Sequence, residues 1–257
     1  MTEIADRLPE LTYFFPAHNE EDNLRGLVEE ALTTLPALAE TFEIVIVDDG
    51  SRDDTPGIAD ELAGANPRVR AVHHPTNLGY GAALRSGFAA ARYANIAFTD
   101  GDRQFKVADL GRLIERLRGG DVDAVVGYRI QRADPLVRTV YARLYRLANR
   151  IFFGLTVRDV DCACKLFSRA SLEGVNVESG GAFLSAELLI KLRARGRRLA
   201  EVGVPHYPRI AGQQSGANPK VVFRAMRDFW RLRLRLWFRR SEAFEAGEPV
   251  LGEGSAS

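Results

Sequence analysis

Short runs of β-branched and aromatic residues alternate with longer segments of helical periodicity, and few architectures accept that order. Residues 11–15, 42–47, 69–73, 96–99 and 123–127 read as strands. Between them, residues 20–35, 55–65, 80–93 and 107–118 carry apolar side chains at helical spacing. Asp54 and Asn77 or Asn19 stand where N-caps belong, and Pro36 and Gly119-Gly120 stand where helices stop. The alternation predicts an α/β fold, a mostly parallel sheet joined by right-handed crossovers with helices on both faces. At 257 residues and 46% hydrophobic, the chain can bury a core without staples, as one large domain or two small ones. Two cysteines exclude a disulfide framework. No apolar run approaches the roughly 20 residues of a membrane span, and the first ten residues lack the apolar stretch of a signal peptide, so a cytoplasmic protein is expected. There are no internal repeats.

In open α/β sheets ligands bind beyond the carboxyl ends of the strands. Those ends lead into Pro16-Ala17-His18-Asn19-Glu20-Glu21, Asp48-Asp49-Gly50-Ser51-Arg52-Asp53, Asn77-Leu78-Gly79-Tyr80-Gly81 and Asp100-Gly101-Asp102-Arg103-Gln104. Each loop alone reads as a turn or a cap. Four polar loops on one rim, two of them doubly acidic, point to a site. Asp100 and Asp102, at i and i+2 beyond a strand, offer with the Gln104 side-chain oxygen hard ligands for Mg²⁺ or Mn²⁺. Two carboxylates are few for an all-protein cage, so substrate phosphate oxygens would complete the shell. Acids this close repel each other, and a cation relieves that repulsion. The Gly79/Gly81 pair fails the dinucleotide fingerprint, because the next glycine is Gly87. Cys162 and Cys164 lack a second pair and read as packed thiols. His73 and His74 read as structural, His18 as a candidate to touch a nucleotide base, and His206 alone supports no catalytic role.

The ordered set P-A-H-N-E-E, V-D-D-G-S-x-D-x-T, N-x-G-x-G-x-A-x-x-x-G, D-G-D-R-Q-F, V-V-G-Y-R and E-V-G-V-P-H-Y-x-R resembles family 2 glycosyltransferases. Among these it is most similar to the dolichyl-phosphate mannose synthase and polyprenyl-phosphate glucosyltransferase branch, over about residues 11–215. The resemblance implies a GT-A, Rossmann-like fold. It places Pro16, Ala17, Asn19 and Glu20 in the loop lining the nucleotide site, and Asp49 on the base or ribose. Asp100, Asp102 and Gln104 match the metal- and diphosphate-binding motif. Arg129 matches the arginine that faces the acceptor phosphate, and Arg209, Gly212 and Ser215 resemble the late loop approaching the diphosphate and sugar. Within residues 138–149 the synthases usually show an arginine and a serine four apart. Here those positions are Tyr141 and Tyr145, with Arg138 and Arg143 displaced nearby, and Ala163 stands where glycine is usual.

The implied reaction moves a hexose, mannose first and glucose next, from GDP-mannose or UDP-glucose to a polyprenyl phosphate, with inversion. The catalytic residues would be Asp102, Arg129 and Arg209, and the acceptor-phosphate ligands Arg129, Arg138, Arg143 and Ser215. A phosphate acceptor with a second pKa near 6 is already a nucleophile at neutral pH and needs no general base. The same fold acting on a hydroxyl acceptor would need one, from Asp159, Asp161 or Glu187. A receiver-like module with Asp48/Asp49 as phosphoacceptor pocket would call for a lysine after the fifth strand, where this chain has Arg129.

The formal charge of +1 conceals segregation. Residues 220–240 hold eight basic side chains and one acid, a net +7, which leaves about −6 for the rest. Phe223, Met226, Trp230, Leu234 and Trp237 form one apolar stripe with Arg224, Arg227, Arg231, Arg235 and Arg239 beside it. That pattern suits a helix lying in a membrane interface, and equally an amphipathic helix packed on the domain with solvated arginines. The expected organisation is a catalytic domain over 1–216, a basic helix over 217–240 and a flexible tail over 241–257, peripheral at the inner face of the cell membrane. No motif for nucleic-acid recognition is present.

Overall fold

The structure, a computed structural model, describes the backbone of residues 7–130, 136–209, 219–238 and 240–252. Its centre is a seven-stranded sheet. In chain order come β1 (Leu8–Ala17), α1 (Glu21–Thr34), β2 (Ala39–Asp48), α2 (Thr55–Ala65), β3 (Val69–His73), α3 (Tyr80–Ala90), β4 (Asn95–Phe98), α4 (Leu110–Arg118) and β5 (Ala124–Arg129). Then follow α5 (Leu136–Phe153), β6 (Lys165–Ser168), α6 (Arg169–Leu172), β7 (Asn176–Val177), α7 (Leu184–Ala194), β8 (Leu199–Val204), α8 (Pro219–Phe238), α9 (Arg240–Glu245) and β9 (Glu248–Pro249). The strand order is β3-β2-β1-β4-β6-β5-β8. Only β6 runs against its neighbours, pairing antiparallel with β4 and β5, while β5 and β8 are parallel.

The alternating half of the sequence folds as its periodicity predicts. Helix α1 stops at Thr34, where Leu35–Ala37 tightens into a 3₁₀ turn around Pro36. Helix α4 stops at Arg118, and Gly120 takes the positive φ of +72° that a β-carbon disfavours. Strands β1 and β2 are buried from Leu11 to Ala17 and from Phe42 to Asp48, as central parallel strands covered on both faces must be. Phe14 anchors the core, stacked on Phe98 at 5.3 Å and edge-on to Phe88 at 5.0 Å. The glycine that breaks the dinucleotide fingerprint has its reason here. A β-carbon at Gly87 would lie 2.2 Å from the Phe14 ring, so glycine lets α3 sit down on the sheet.

Beyond β5 the chain departs from simple alternation. The antiparallel β6 brings Lys165 opposite Phe98 at the end of β4. The segment expected to be a loose tail carries α9 and β9, and β9 pairs with β7. Burial of Ala243 and Val250 holds it, together with hydrogen bonds from Lys191 Nζ to Ala246 O and from Val250 N to Val175 O. Helix α8 packs through Phe229 and Leu232, which are buried, and Phe229 meets the rings of Phe152, Phe153 and Phe183 at 4.9–5.8 Å.

Candidate active site

The parallel register sets β1, β2 and β4 side by side and ends them on one rim. Ala17 is opposite Asp48, and Phe14 is opposite Phe98, so the loops that follow converge. They are tied together. Asn19, at φ 55°, donates its N–H to Ser51 Oγ (2.9 Å) and accepts from Arg52 N through Oδ1 (2.9 Å). His18 Nδ1 lies 3.0 Å from Asp49 O and its Nε2 3.0 Å from Asn77 Nδ2, which links three loops through one ring. Gly50, at φ +64°, presses so close to Thr76 that a β-carbon would overlap its backbone. Gly101 passes under Pro16, where a β-carbon would sit 2.7 Å from the Pro16 carbonyl oxygen.

The two acids of the second loop are structural clamps as well as rim residues. Asp48 accepts from Ser51 N (3.0 Å) and from His73 Nδ1 (3.1 Å), and His73 Nε2 lies 3.0 Å from Asp60. Burial alone would raise the Asp48 carboxyl, but the bonds from Ser51 and His73 outweigh it and hold it below the ordinary carboxylate value. Burial likewise opposes a charged His73, yet Asp48 and Asp60 on its two nitrogens hold its pKa above the ordinary 6.5. Asp49 takes Leu78 N on Oδ1 and Gly79 N on Oδ2, both at 2.9 Å, with His74 Nδ1 at 2.7 Å. The β3–α3 loop is thereby fastened to the end of β2. Both histidines, read as structural, do structural work.

Asp100 and Asp102 lie at the convergence point. Asp100 Oδ1 accepts the Tyr80 hydroxyl at 2.9 Å. Asp102, 5% exposed, accepts Gln104 N on Oδ1 (3.1 Å) and the Arg209 guanidinium on Oδ2 (2.6 Å). Burial, and next to it the Asp102 charge, push the Asp100 carboxyl up to about 6. Arg209 also stands 3.7 Å from Glu20 Oε1, so one guanidinium faces two acids from different loops. Gln104 donates its amide N–H to Tyr207 O (3.2 Å) and its backbone O accepts from Tyr207 N (2.9 Å), which docks the loop after β8 onto the loop after β4. The amide nitrogen is the engaged end of Gln104, leaving its oxygen as the end for a ligand. Among the described residues no third histidine, cysteine, aspartate or glutamate joins the pair to make a complete protein cage. Two hard oxygen donors, mutually repelling, one buried and one half-buried, fit a divalent cation whose shell is finished by phosphate oxygens.

Arg129, at the end of β5, is turned onto Asp159 in a bidentate pair at 2.7 and 2.8 Å, both side chains 8% exposed. Burial would lower the guanidinium's pKa, but Asp159 more than offsets that and holds it fully charged. Glu187 is pinned by Lys191 (2.9 Å) and by the N–H groups of Glu178 and Ser179 (3.0 and 2.9 Å). Arg143 is exposed on α5. The side chains of Arg138 and Tyr141, and residues Gly212 and Ser215, lie outside the described residues.

Two contributors, Tyr80 and Lys165, went unnoticed in the sequence, and Tyr145 stands out there only as a departure from the usual acceptor-loop pattern. Tyr80 is a helix-opening tyrosine whose value shows only when its hydroxyl meets Asp100. Tyr145 is half-buried, and burial followed by the nearby Asp161 charge raises its hydroxyl pKa. Lys165 is wholly buried, with Nζ on Val160 O (3.0 Å) and Cys162 O and lying over the Phe98 ring. Its burial lowers its pKa. Only the D-x-x-C-x-C-K spacing hinted at it. Cys162 and Cys164 are fully buried, and burial pushes the Cys162 thiol up to about 12, so they are packed thiols.

Residues 12–175 match the sequence family described as Glycosyl transferase family 2. Glycosyltransferase AglD of Haloferax volcanii is 35% identical over 208 residues, 78% of this chain but 33% of AglD, so the chain spans a third of that relative. Polyprenol monophosphomannose synthase of Mycolicibacterium smegmatis is 28% identical over 235 residues, 86% of each chain. Dolichyl-phosphate beta-glucosyltransferase ALG5D of Trichomonas vaginalis is 28% identical over 253 residues, 91% of this chain and 77% of the relative. Among solved structures, glucosyl-3-phosphoglycerate synthase from Mycobacterium tuberculosis, in complex with phosphoglyceric acid, superimposes with a TM-score of 0.70 at 21% identity. That overlap covers 88% of this chain and 80% of the synthase. The same synthase with Mn²⁺ and UDP superimposes with a TM-score of 0.67 over 90% of this chain. The chain therefore belongs to glycosyl transferase family 2, has the GT-A fold, and is a glycosyltransferase.

Proposed function

We propose that this enzyme transfers a hexose, mannose first and glucose next, from a nucleotide diphosphate sugar to a polyprenyl phosphate, inverting the anomeric carbon. The observation that carries the reading is the acid pair beyond β4, half-buried Asp100 and buried Asp102, with Arg209 against Asp102. A divalent ion, Mg²⁺ or Mn²⁺, held by Asp100 and Asp102 with the Gln104 oxygen, would neutralise charge on the departing nucleoside diphosphate.

The protein's own residues account for the rest. Pro16, Ala17, Asn19, Glu20 and Asp49 line the rim where GDP-mannose or UDP-glucose would lie, and the hydrogen bonds among their loops preorganise it. Arg209, spanning Asp102 and Glu20, is the cation placed to meet the diphosphate. Arg129, oriented by Asp159, serves the acceptor phosphate from the end of β5, with Arg143, Arg138 and Ser215 as the further candidates. A phosphate acceptor is its own nucleophile. Two of the three acids that a hydroxyl acceptor would need as base, Asp159 and Glu187, are engaged by buried cations, which supports the phosphate route. Sequence relatives named for dolichyl, polyprenol and undecaprenyl phosphate transfer point the same way. Among the described residues no helix is long and apolar enough to cross a membrane. A lipid acceptor would then be met from a membrane surface, with the enzyme peripheral at the inner face.

The test offers labelled GDP-mannose and UDP-glucose with Mn²⁺ and a short polyprenyl phosphate, and follows label into the organic phase. Label in a lipid-linked sugar phosphate is expected. Transfer to a glycan or small-molecule hydroxyl, with polyprenyl phosphate inert, would overturn the reading.

A further inference from the structure

Apart from Trp230, which meets the rings of Phe152 and Phe229, the predicted stripe on α8 stays exposed. Phe223, Met226, Trp230, Leu234 and Trp237 are 75%, 48%, 44%, 50% and 68% exposed, and Phe238 adds to them. A second set of large apolar residues is exposed on α5: Leu144, Leu147 and Ile151, at spacings of three and four that put them on one helix face. The two helices meet where Phe152 lies edge-on to Trp230 at 5.2 Å. Scattered exposed apolar residues need no explanation, but two rows flanking one seam make a patch.

We infer that α5 and α8 together form a docking surface for an anionic lipid bilayer, with α5 contributing as much as the basic helix. This rests on the lipid-phosphate reading above. Charge selects the occupant. Arg143, Arg146 and Arg150 are exposed on α5 and Arg224 on α8, with Arg227 and Arg231 also exposed but paired with Asp228 and Glu178. A second copy meeting this face about a two-fold axis would set arginine against arginine, whereas anionic headgroups complement it at about 1 kcal/mol per arginine. The surface is also joined to the site. Glu178 accepts from both Arg231 (3.4 Å) and Arg235, fastening α8 to the loop before α7. In that loop Gly180 and Gly181 abut Gly79 and Gly81, on either side of the Tyr80 that holds Asp100, and Arg224 lies over Gly181. A bilayer docked on α5 and α8 would thus lie in register with the metal-binding rim.

The full-length protein, without donor or acceptor, is mixed with phosphatidylglycerol-rich or pure phosphatidylcholine vesicles and sedimented. Preferential binding to the anionic vesicles, weakened by salt, is expected. The exposed-site variants Leu147→Glu and Ile151→Glu on α5 should each lower partitioning about tenfold with an unchanged melting temperature, as should Phe223→Glu on α8. Unchanged partitioning of both α5 variants, or a wild-type protein that ignores vesicles and sediments as a dimer, overturns the proposal. Transfer to a short acceptor in detergent separates the two ideas. Retained transfer without vesicle binding fails the docking surface alone, and vesicle binding without any transfer fails the catalytic reading alone.

Discussion

The rim beyond β1, β2 and β4 and the arm formed by α5 and α8 obey opposite rules. On the rim, polar groups are buried and answered: Asp48 by Ser51 and His73, Asp49 by Leu78, Gly79 and His74, Asp102 by Gln104 and Arg209. On the arm, apolar groups are exposed and unanswered, from Leu144 to Trp237. A buried polar network states its requirements from within, because each unpaired group costs free energy and so each partner is present. An exposed apolar face states only that something outside covers it. Chemistry is therefore legible on the rim, and the partner is legible on the arm.

The largest effect belongs to the rim. Asp102→Ala should cut sugar transfer by about a thousandfold, the usual scale for removing an electrostatic group at developing charge, while vesicle binding stays unchanged. A rim variant that also lost vesicle binding would merge the two regions. Next comes Asp49→Asn, which leaves at most one good acceptor for the Leu78 and Gly79 N–H groups. It should cost about 1–3 kcal/mol in denaturant unfolding. A stability equal to wild type would show that the β3–α3 loop is fastened by something else. Smaller again is Phe223→Glu, whose roughly tenfold loss of vesicle partitioning should leave transfer to a detergent-solubilised short acceptor intact.

The smallest effect is a pH dependence. Folding raises the His73 pKa above 6.5, so its contribution is present below 6.5 and fades as pH rises through the raised value. Folding lowers the Asp48 pKa below 3.8, so that contribution is present above 3.8 and fades as pH falls through the lowered value. Between those limits the Asp48–His73–Asp60 chain holds. The melting temperature of wild type relative to His73→Gln should therefore decline from pH 6 to pH 8, and a constant difference would remove His73 from the latch.

How much was readable beforehand follows the same division. The first five strands and four helices were visible because buried parallel strands and amphipathic helices carry opposite periodicities. The acid pair was visible because i and i+2 acids beyond a strand have few structural uses. Lys165 and the antiparallel β6 were not, since a four-residue strand holds too few residues for a period and a buried lysine looks like any other. Arg129 carried a signal for an acceptor ligand, but nothing in the chain order announced Asp159, thirty residues on, as its partner. The stripe on α8 was correctly drawn. Which way it faced depended on Phe229 and Leu232, the residues on the other side of the helix. The ordered α9 and β9 were hidden by a Glu- and Gly-rich composition, within which Ala243 and Val250 are buried and Phe244, Ala246 and Leu251 half-buried.

The central claim is that the acceptor is a phosphate already able to attack, with no general base in the site. One competition decides it: labelled donor and Mn²⁺ offered to equal amounts of a polyprenyl phosphate and the corresponding unphosphorylated polyprenol. The account predicts label on the phosphate alone, abolished in Asp102→Ala. Label on the free alcohol, at a rate comparable to the phosphate, would contradict it.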